Sequence, residues 1–218
     1  MSSAPRTLVL SDGGLASLVA CVASREAAFA AVPSVTGTEQ PPRPLVVPAS
    51  LPIGSARARL QAIARQCETL DLEFLDSPST PIAADDLSSE RHTGDLVRAG
   101  YAAVRRECPN ITWPVHFEHG EEIDLEAVSD AVDRALLMGR ILTIDSPGFP
   151  VRIDVPYADL TDRQVADLVL DMDVPAQLCW WWHAQLADPS IPDSRAEFNH
   201  EHRRWTAALA AVGWTAAP

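Results

Sequence analysis

The sequence predicts an α/β protein with a doubly wound, mostly parallel five-stranded sheet that carries helices on both faces. Two observations lead to this fold class. Short apolar runs typical of strands alternate along the chain with segments whose apolar residues recur at spacings of three and four, as on one face of a helix. The chain also has 218 residues, 47% of them hydrophobic, which is enough for one large core. Alternating strands and helices favour a parallel sheet that is covered on both sides.

The predicted elements follow this alternation in order. The strands are short apolar runs bounded by turn residues, and they span residues 7–10, 45–50, 72–76, 111–117 and 151–157. The helices have the spacing of a buried stripe, and they span residues 14–31, 55–70, 93–107, 125–139, 162–172 and 195–212. Asp124 and Thr161 are predicted N-caps of the fourth and fifth helices. No repeat or domain boundary interrupts the order, so we expect a single domain, 1–218, with a helical, tryptophan-rich segment at about 174–218.

Charge and composition exclude several classes of function. The formal net charge is -13, and the 17 basic residues are all arginine, so the average surface repels nucleic acid and anionic lipid. No apolar run reaches the roughly 18 to 20 residues of a membrane span, and the first residues lack a secretory pattern, which predicts a cytoplasmic protein. The four cysteines are widely spaced, as expected for separate reduced thiols: Cys21, Cys67, Cys108 and Cys179.

The loop after the first strand is the first candidate site. Residues 11–17 read SDGGLAS and lie between a predicted strand and a predicted helix, where open parallel sheets bind ligands. Glycines allow backbone N–H groups to approach an anion, hydroxyls add donors, and the helix N-terminus adds a favourable partial charge. The predicted nucleotide-binding residues are Ser11, Asp12, Gly13, Gly14, Leu15 and Ser17.

Several segments together resemble one enzyme family. Residues 13–17 resemble the core of the S-G-G-x-D-S signature of PP-loop ATP pyrophosphatases, with Ala16 where that family has aspartate. Residues 125–139, 152–182 and 202–214 resemble, in the same order, helix, strand and turn segments of 7-cyano-7-deazaguanine synthases. The resemblance implies an adenine nucleotide alpha hydrolase-like fold, ATP and Mg²⁺ as cofactors, and ATP-dependent activation of a carboxylate or related group for amide or nitrile formation. It also raises a homodimer, common among such relatives, as an expectation.

The chain departs from that family within the loop and in a second active-site segment. The family's serines are five positions apart, whereas Ser11 and Ser17 are six apart, so either one residue is inserted or Asp12 stands at the serine position. A carboxylate in a phosphate cradle repels the phosphate unless it turns away or holds Mg²⁺. The family's Pro-Gly-Arg-Asn segment corresponds to HTGD, residues 92–95, with Asp95 in place of the arginine.

The zinc ligands of the family are also missing. Its four cysteines correspond to Trp182, Ala196, Asn199 and His202, so zinc is not expected. A substitute set of acceptable ligand types consists of Cys179, His183, His200 and His202. The alternative is an aromatic cluster of Trp180, Trp181 and Trp182 in place of the metal.

A further cluster lies after the fourth strand. If that strand runs through residue 117, His116 and Glu118 point to the same face near the expected cleft. The substrate or cleft candidates are therefore His92, Gly94, Asp95, His116 and Glu118. Two hypotheses remain open: a divergent enzyme that binds ATP, and a non-catalytic module on the same fold that binds a nucleotide, a nucleobase or a protein partner.

Overall fold

Five parallel strands form the centre of the molecule. The computed structural model describes residues 6–31, 41–75, 88–117, 123–182 and 192–215. The strands are β1 (Thr7–Ser11), β2 (Leu45–Pro48), β3 (Glu73–Phe74), β4 (Asn110–Thr112) and β5 (Arg152–Asp154). Each neighbouring pair is parallel, and the order across the sheet is β3-β2-β1-β4-β5. The predicted doubly wound α/β fold is confirmed.

Helices cover both faces of this sheet. They are α1 (Leu15–Ala30), α2 (Ala56–Thr69), α3 (Ser88–Arg105), α4 (Leu125–Asp145), α5 (Asp162–Asp171) and α6 (Pro192–Ala211), with single 3-10 turns at Ala176–Leu178 and Trp180–Trp182. Alternate side chains of β1 enter two separate cores, as the pleat requires. Val9 packs with α1, α2, α5 and α6, whereas Leu8 and Leu10 pack with α3 and α4. None of these helices, within the described ranges, is long and apolar enough to cross a bilayer.

Several element boundaries differ from the prediction, and two of these differences change the environment of candidate residues. Strand β4 ends at Thr112 rather than at residue 117, because Pro114 has no N–H for the ladder. His116 therefore lies on a loop, and the argument from strand alternation is wrong. Helix α3 begins at Ser88, five residues early, so residues 92–95 are helical. Helix α4 continues through Gly139 to Asp145, since tertiary packing outweighs the low helix propensity of one glycine.

Both predicted N-caps are confirmed. The Asp124 carboxylate accepts hydrogen bonds from the N–H groups of Glu126 and Ala127. Thr161 and Gln164 form a reciprocal capping box at the start of α5. These contacts satisfy backbone donors that a helix leaves without an internal partner.

Candidate functional site

A cleft of about 270 Å³ opens where β1 and β4 end. The chain continues from β1 to β2 on one side, and β4 lies on the other side, so the cleft is at the point where the winding of the sheet reverses. The loops after β1, β2 and β4 line it, together with side chains of α2, α3 and α6. Its ionisable and aromatic lining residues are Asp12, Arg59, Arg91, His92, Asp95, Trp113, His116, Glu197, Glu201, Arg204 and Trp205.

The Asp12 carboxylate accepts hydrogen bonds from two donors of the first loop. Its Oδ1 atom accepts a hydrogen bond from the Gly14 N–H at 2.8 Å and another from the Ser17 hydroxyl at 2.7 Å. The Ser17 Oγ atom in turn accepts from the Asp12 N–H, and the Gly13 N–H donates to Ser11 Oγ. The three backbone N–H groups of residues 12–14 are therefore all bound within the loop.

Arg59 of α2 completes this arrangement. Its Nη1 atom donates to Asp12 Oδ2 at 2.9 Å, its Nη2 atom donates to Glu197 at 2.7 Å, and its Nε atom donates to Ser55. The guanidinium also lies over the Trp180 ring, 4.1 Å from the ring centroid. The Arg59 side chain is only 10% exposed, so two carboxylates and an aromatic face compensate a largely desolvated cation.

The charge state of Asp12 follows from these contacts. Desolvation of the carboxyl group opposes ionisation, but Arg59 and the hydrogen bonds from Ser17 and Gly14 together hold the pKa of Asp12 below its usual range. Asp12 is therefore an anion at neutral pH. It lies at the N-terminus of α1, where a negative charge is favourable.

The first loop does not offer its strongest donors to a phosphate. The Gly14 N–H, the Ser17 hydroxyl and Arg59 Nη1 are donors suited to an anion, and Asp12 already binds all three. Asp12 makes no hydrogen bond to the backbone N–H groups of residues 15–17 in the first turn of α1. Asp12, Gly14, Leu15 and Ser17 line the cleft, as does Ala16, whereas Ser11 and Gly13 lie behind it.

Gly13 has a structural role at this position. Its φ is +77°, and a Cβ atom there would lie 2.9 Å from the Arg59 carbonyl oxygen. Its own carbonyl accepts hydrogen bonds from the Gln66 side chain and from the Trp180 N–H, both at 3.2 Å. The glycine thus joins the first loop to α2 and to the tryptophan-containing turn.

Two of the three candidates on α3 line one wall of the cleft. His92 contacts the edge of Trp113, with 5.4 Å between ring centroids. Burial, followed by the positive charges of Arg91 and Arg134, lowers the pKa of His92 to about 4, so the imidazole is neutral at physiological pH. Asp95 is 3% exposed and accepts hydrogen bonds from the N–H and the hydroxyl of Ser50, which connects α3 to the end of β2.

The remaining candidates have separate positions. Gly94 does not line the cleft, and Glu118 lies outside the described residues. His116 lines the opposite wall, where its Nδ1 atom is 3.2 Å from the Arg204 guanidinium. Because arginine only donates, Nδ1 is the accepting nitrogen and carries no proton. Arg204 also binds Asp162 through two hydrogen bonds of 2.6 Å, which fixes this wall to the start of α5.

The residues proposed as substitute metal ligands do not converge. His183 lies outside the described part of the chain, and His200 is exposed on α6. Cys179 is buried, which raises the pKa of its thiol well above the usual value. His202 stacks on Phe198 and meets Trp181 and Trp182 edge-on, so an aromatic cluster fills this region. Among the described residues, no three histidine, cysteine or acidic side chains are arranged to hold a metal ion.

Sequence reasoning missed the arginines that dominate the cleft. Arg59 lies on the buried face of α2, together with Ala58, Ala62 and Ile63. A charged residue on an apolar helix face is the sequence signal that could have identified it. The adjacent arginines Arg203 and Arg204 are typical of a surface or salt-bridged pair, and Arg204 is salt-bridged with a side chain only 12% exposed. Its partner Asp162 is distant in sequence and gave no local signal.

Comparisons with known proteins support the class of fold. No family model and no curated protein matches the sequence. A solved structure, the U34-tRNA thiolase NcsA from Methanococcus maripaludis with its [4Fe-4S] cluster, is similar with a TM-score of 0.51 and 12% sequence identity. The match covers 97% of this chain and 72% of the thiolase chain. The similarity shows a shared doubly wound α/β fold, and the resemblance to PP-loop ATP pyrophosphatases and to one synthase family among them stays a sequence-based hypothesis.

Proposed function

We propose that the chain binds a nucleobase or a nucleoside in the cleft between β1 and β4, and that it does so without engaging a triphosphate. The observation that carries this proposal is the hydrogen bonding of Asp12 Oδ1 to Gly14 and Ser17. An anion within the protein already binds three of the donors at the helix N-terminus that could otherwise hold the phosphates of a nucleotide.

The size and charge of the cleft favour the same class of ligand. Its volume of about 270 Å³ is smaller than the roughly 300 to 1,000 Å³ of sites for drug-sized ligands, which suits a base or a small nucleoside better than ATP. Four carboxylates line it against three guanidinium groups, an unfavourable balance for a triphosphate: Asp12, Asp95, Glu197 and Glu201 against Arg59, Arg91 and Arg204.

Aromatic and polar groups of the cleft suit a heterocycle. The rings of Trp113, His92 and Trp205 line the cleft and give it apolar surface beside its polar groups, and a base combines an apolar ring with a hydrogen-bonding edge. Arg91 lines the cleft and makes no ion pair with another described residue, so its guanidinium is available to a carbonyl or ring nitrogen of the ligand.

Isothermal titration with adenosine, guanosine, 7-cyano-7-deazaguanine and ATP with Mg²⁺ tests the proposal. We expect at least one base or nucleoside to bind, ATP to bind no tighter than adenosine, and Arg91→Ala to weaken binding about tenfold, the effect of one lost charge-assisted hydrogen bond. Arg105→Ala, on the exposed end of the same helix, is the matched control. Failure of every base and nucleoside to bind, or ATP binding tenfold tighter than adenosine, would overturn the proposal.

A second function is favoured by the sequence resemblance over residues 125–214, which follows the order of the synthase family. In this alternative the chain uses ATP to activate a carboxylate, as 7-cyano-7-deazaguanine synthases do. Pyrophosphate release that requires both ATP with Mg²⁺ and 7-carboxy-7-deazaguanine would support the enzyme and contradict the binding module. The same assay without the acid measures the background hydrolysis.

A further inference from the structure

The wall of the cleft formed by α3 contains a buried carboxylate with one unused oxygen. The Asp95 side chain is 4% exposed and lines the cleft. Its Oδ1 atom accepts hydrogen bonds from the Ser50 N–H at 2.8 Å, from the Ser50 hydroxyl at 2.5 Å and from Arg98 Nη2 at 2.5 Å. Its Oδ2 atom accepts none from any residue within the described ranges. This oxygen is therefore left for a molecule in the cleft.

The contacts of Oδ1 fix the direction of the carboxylate. Ser50 follows the end of β2 and Arg98 lies one turn further along α3, so rotation of the group would break all three hydrogen bonds. Because Asp95 lines the cleft, Oδ2 is the oxygen that faces it. A buried acceptor without a donor costs about as much free energy as a lost hydrogen bond. A ligand that donates to Oδ2 removes this cost, and the fixed carboxylate needs little further ordering.

Arg91 supplies the complementary group on the same wall. It lies four residues before Asp95 on α3, so the two side chains are neighbours on one face of the helix. Both belong to the described residues that line the cleft, and no ion pair joins them. A carboxylate only accepts hydrogen bonds, and a guanidinium only donates them. The two side chains together therefore match a ligand edge on which a donor stands next to an acceptor.

We propose that this wall selects a heterocycle with a lactam edge, a preference that rests on the proposed binding of a base or nucleoside in the cleft. In a lactam edge a ring N–H stands next to a carbonyl, as in hypoxanthine, guanine and uracil. The ring N–H donates to Asp95 Oδ2, and the carbonyl accepts from Arg91. Adenine has a ring nitrogen at this edge whose lone pair repels a carboxylate oxygen, and its exocyclic amino group is a weaker donor than a ring N–H beside a carbonyl. In the family segment that residues 92–95 resemble, arginine stands in place of Asp95 and would present a donor instead.

Isothermal titration of the full chain with inosine, adenosine and 1-methylinosine tests this recognition. Inosine and adenosine differ only at the edge in question, and 1-methylinosine carries a methyl group in place of the ring N–H. We expect inosine to bind about tenfold tighter than either of them, the effect of one hydrogen bond to a charged group. Uridine and 3-methyluridine are the corresponding pair for a pyrimidine, with the same expected ratio. These comparisons leave the protein unchanged, so no effect on its folding enters them.

Asp95→Asn tests whether this residue sets the preference. The asparagine oxygen keeps the hydrogen bonds of Ser50 and Arg98, and the amide N–H groups replace the acceptor Oδ2 by a donor. We expect inosine to bind this variant no tighter than adenosine, and continued binding of adenosine shows that the cleft is intact. Asp133→Asn, at an exposed position of α4, is the matched control and keeps the preference. Nucleosides that bind without a preference for the ring N–H, or a preference that survives in Asp95→Asn, overturn the lactam recognition and leave the binding function standing. If no nucleoside binds, the proposed function and the lactam recognition are both overturned.

Discussion

Replacement of Asp12 by serine is expected to convert the closed loop into an anion site. The substitution removes the carboxylate that holds the Gly14 N–H, the Ser17 hydroxyl and Arg59 Nη1, and all three donors then face the cleft. Inorganic pyrophosphate is the simplest probe. Hydrogen bonds to a charged group contribute about 1.5–3 kcal/mol, so one recovered bond alone raises the affinity for pyrophosphate about tenfold over the wild type.

The same change also has a calculable cost in stability. The Asp12 side chain is 49% exposed, so its ion pair with Arg59 contributes about 1–2 kcal/mol to the free energy of unfolding, well below the value for a buried pair. For a chain of this length that corresponds to a melting temperature about 2–8 °C lower. Pyrophosphate at 100 times its dissociation constant contributes about 2.7 kcal/mol, which more than restores the loss.

Differential scanning fluorimetry with and without pyrophosphate measures both effects. Asp124→Ser is the matched control, since it replaces a capping aspartate at another helix N-terminus that is remote from the cleft. Because serine also caps helices, this variant should change the melting temperature little and create no response to pyrophosphate. The interpretation of Asp12 is refuted if the wild type and Asp12→Ser respond equally to pyrophosphate, or if neither responds.

Acid provides an independent measure of the Asp12 contribution. The pKa of Asp12 is lower in the folded chain than in the unfolded chain, so its stabilising effect is fully present above the unfolded value of about 3.9. The effect is lost as the pH falls through the folded pKa. The difference in melting temperature between the wild type and Asp12→Ser should therefore narrow below about pH 4. A difference that stays constant into that range would contradict the assignment.

Two further predictions concern stability. The pKa of His92 is about 4 in the folded chain and about 6.5 in the unfolded chain, so the unfolded state binds more protons between these values. The free energy of unfolding, measured by urea titration, should therefore be about 2 kcal/mol lower at pH 5 than at pH 7.5. A decrease of the same size in His92→Phe would contradict this prediction. Gly100→Ala should destabilise the chain by about 1–2 kcal/mol, because a Cβ atom would lie 2.5 Å from Leu142 Cδ1. Gly94→Ala on the same helix has open space around the new Cβ atom and should stabilise the chain by about 0.5–1 kcal/mol. Equal effects of the two variants in thermal denaturation would refute the packing difference.

The fold was predictable because its signals are local. The apolar run of β1 and the helical spacing of α1 follow from a few neighbouring residues, as do the caps at Asp124 and Thr161. Strand ends were less predictable. The run through residue 117 reads as one strand until the position of Pro114 in the ladder is considered, and that boundary decides where His116 lies.

The site was only partly predictable because its contacts are distant in sequence. Asp12 and Arg59 are 47 positions apart, and Arg59 and Glu197 are 138 positions apart. No spacing rule connects such positions, so the sequence pattern identifies the loop but not the arginine that binds Asp12 within it. Arg204 and Asp162 illustrate the same limit at the other wall of the cleft.

The glycines of the loop are weaker evidence for a ligand than their motif indicates. Gly13 is required by its positive φ and by the Arg59 carbonyl, whether or not a ligand binds. At Gly14, a Cβ atom would lie 3.0 Å from Asp12 Oδ1, so this glycine accommodates the carboxylate of the protein itself. A loop that had exchanged its phosphate for an internal carboxylate would retain both glycines. The residues that carry information about a ligand are therefore Asp12 and Ser17, and substitution of Asp12 is the decisive experiment on this loop.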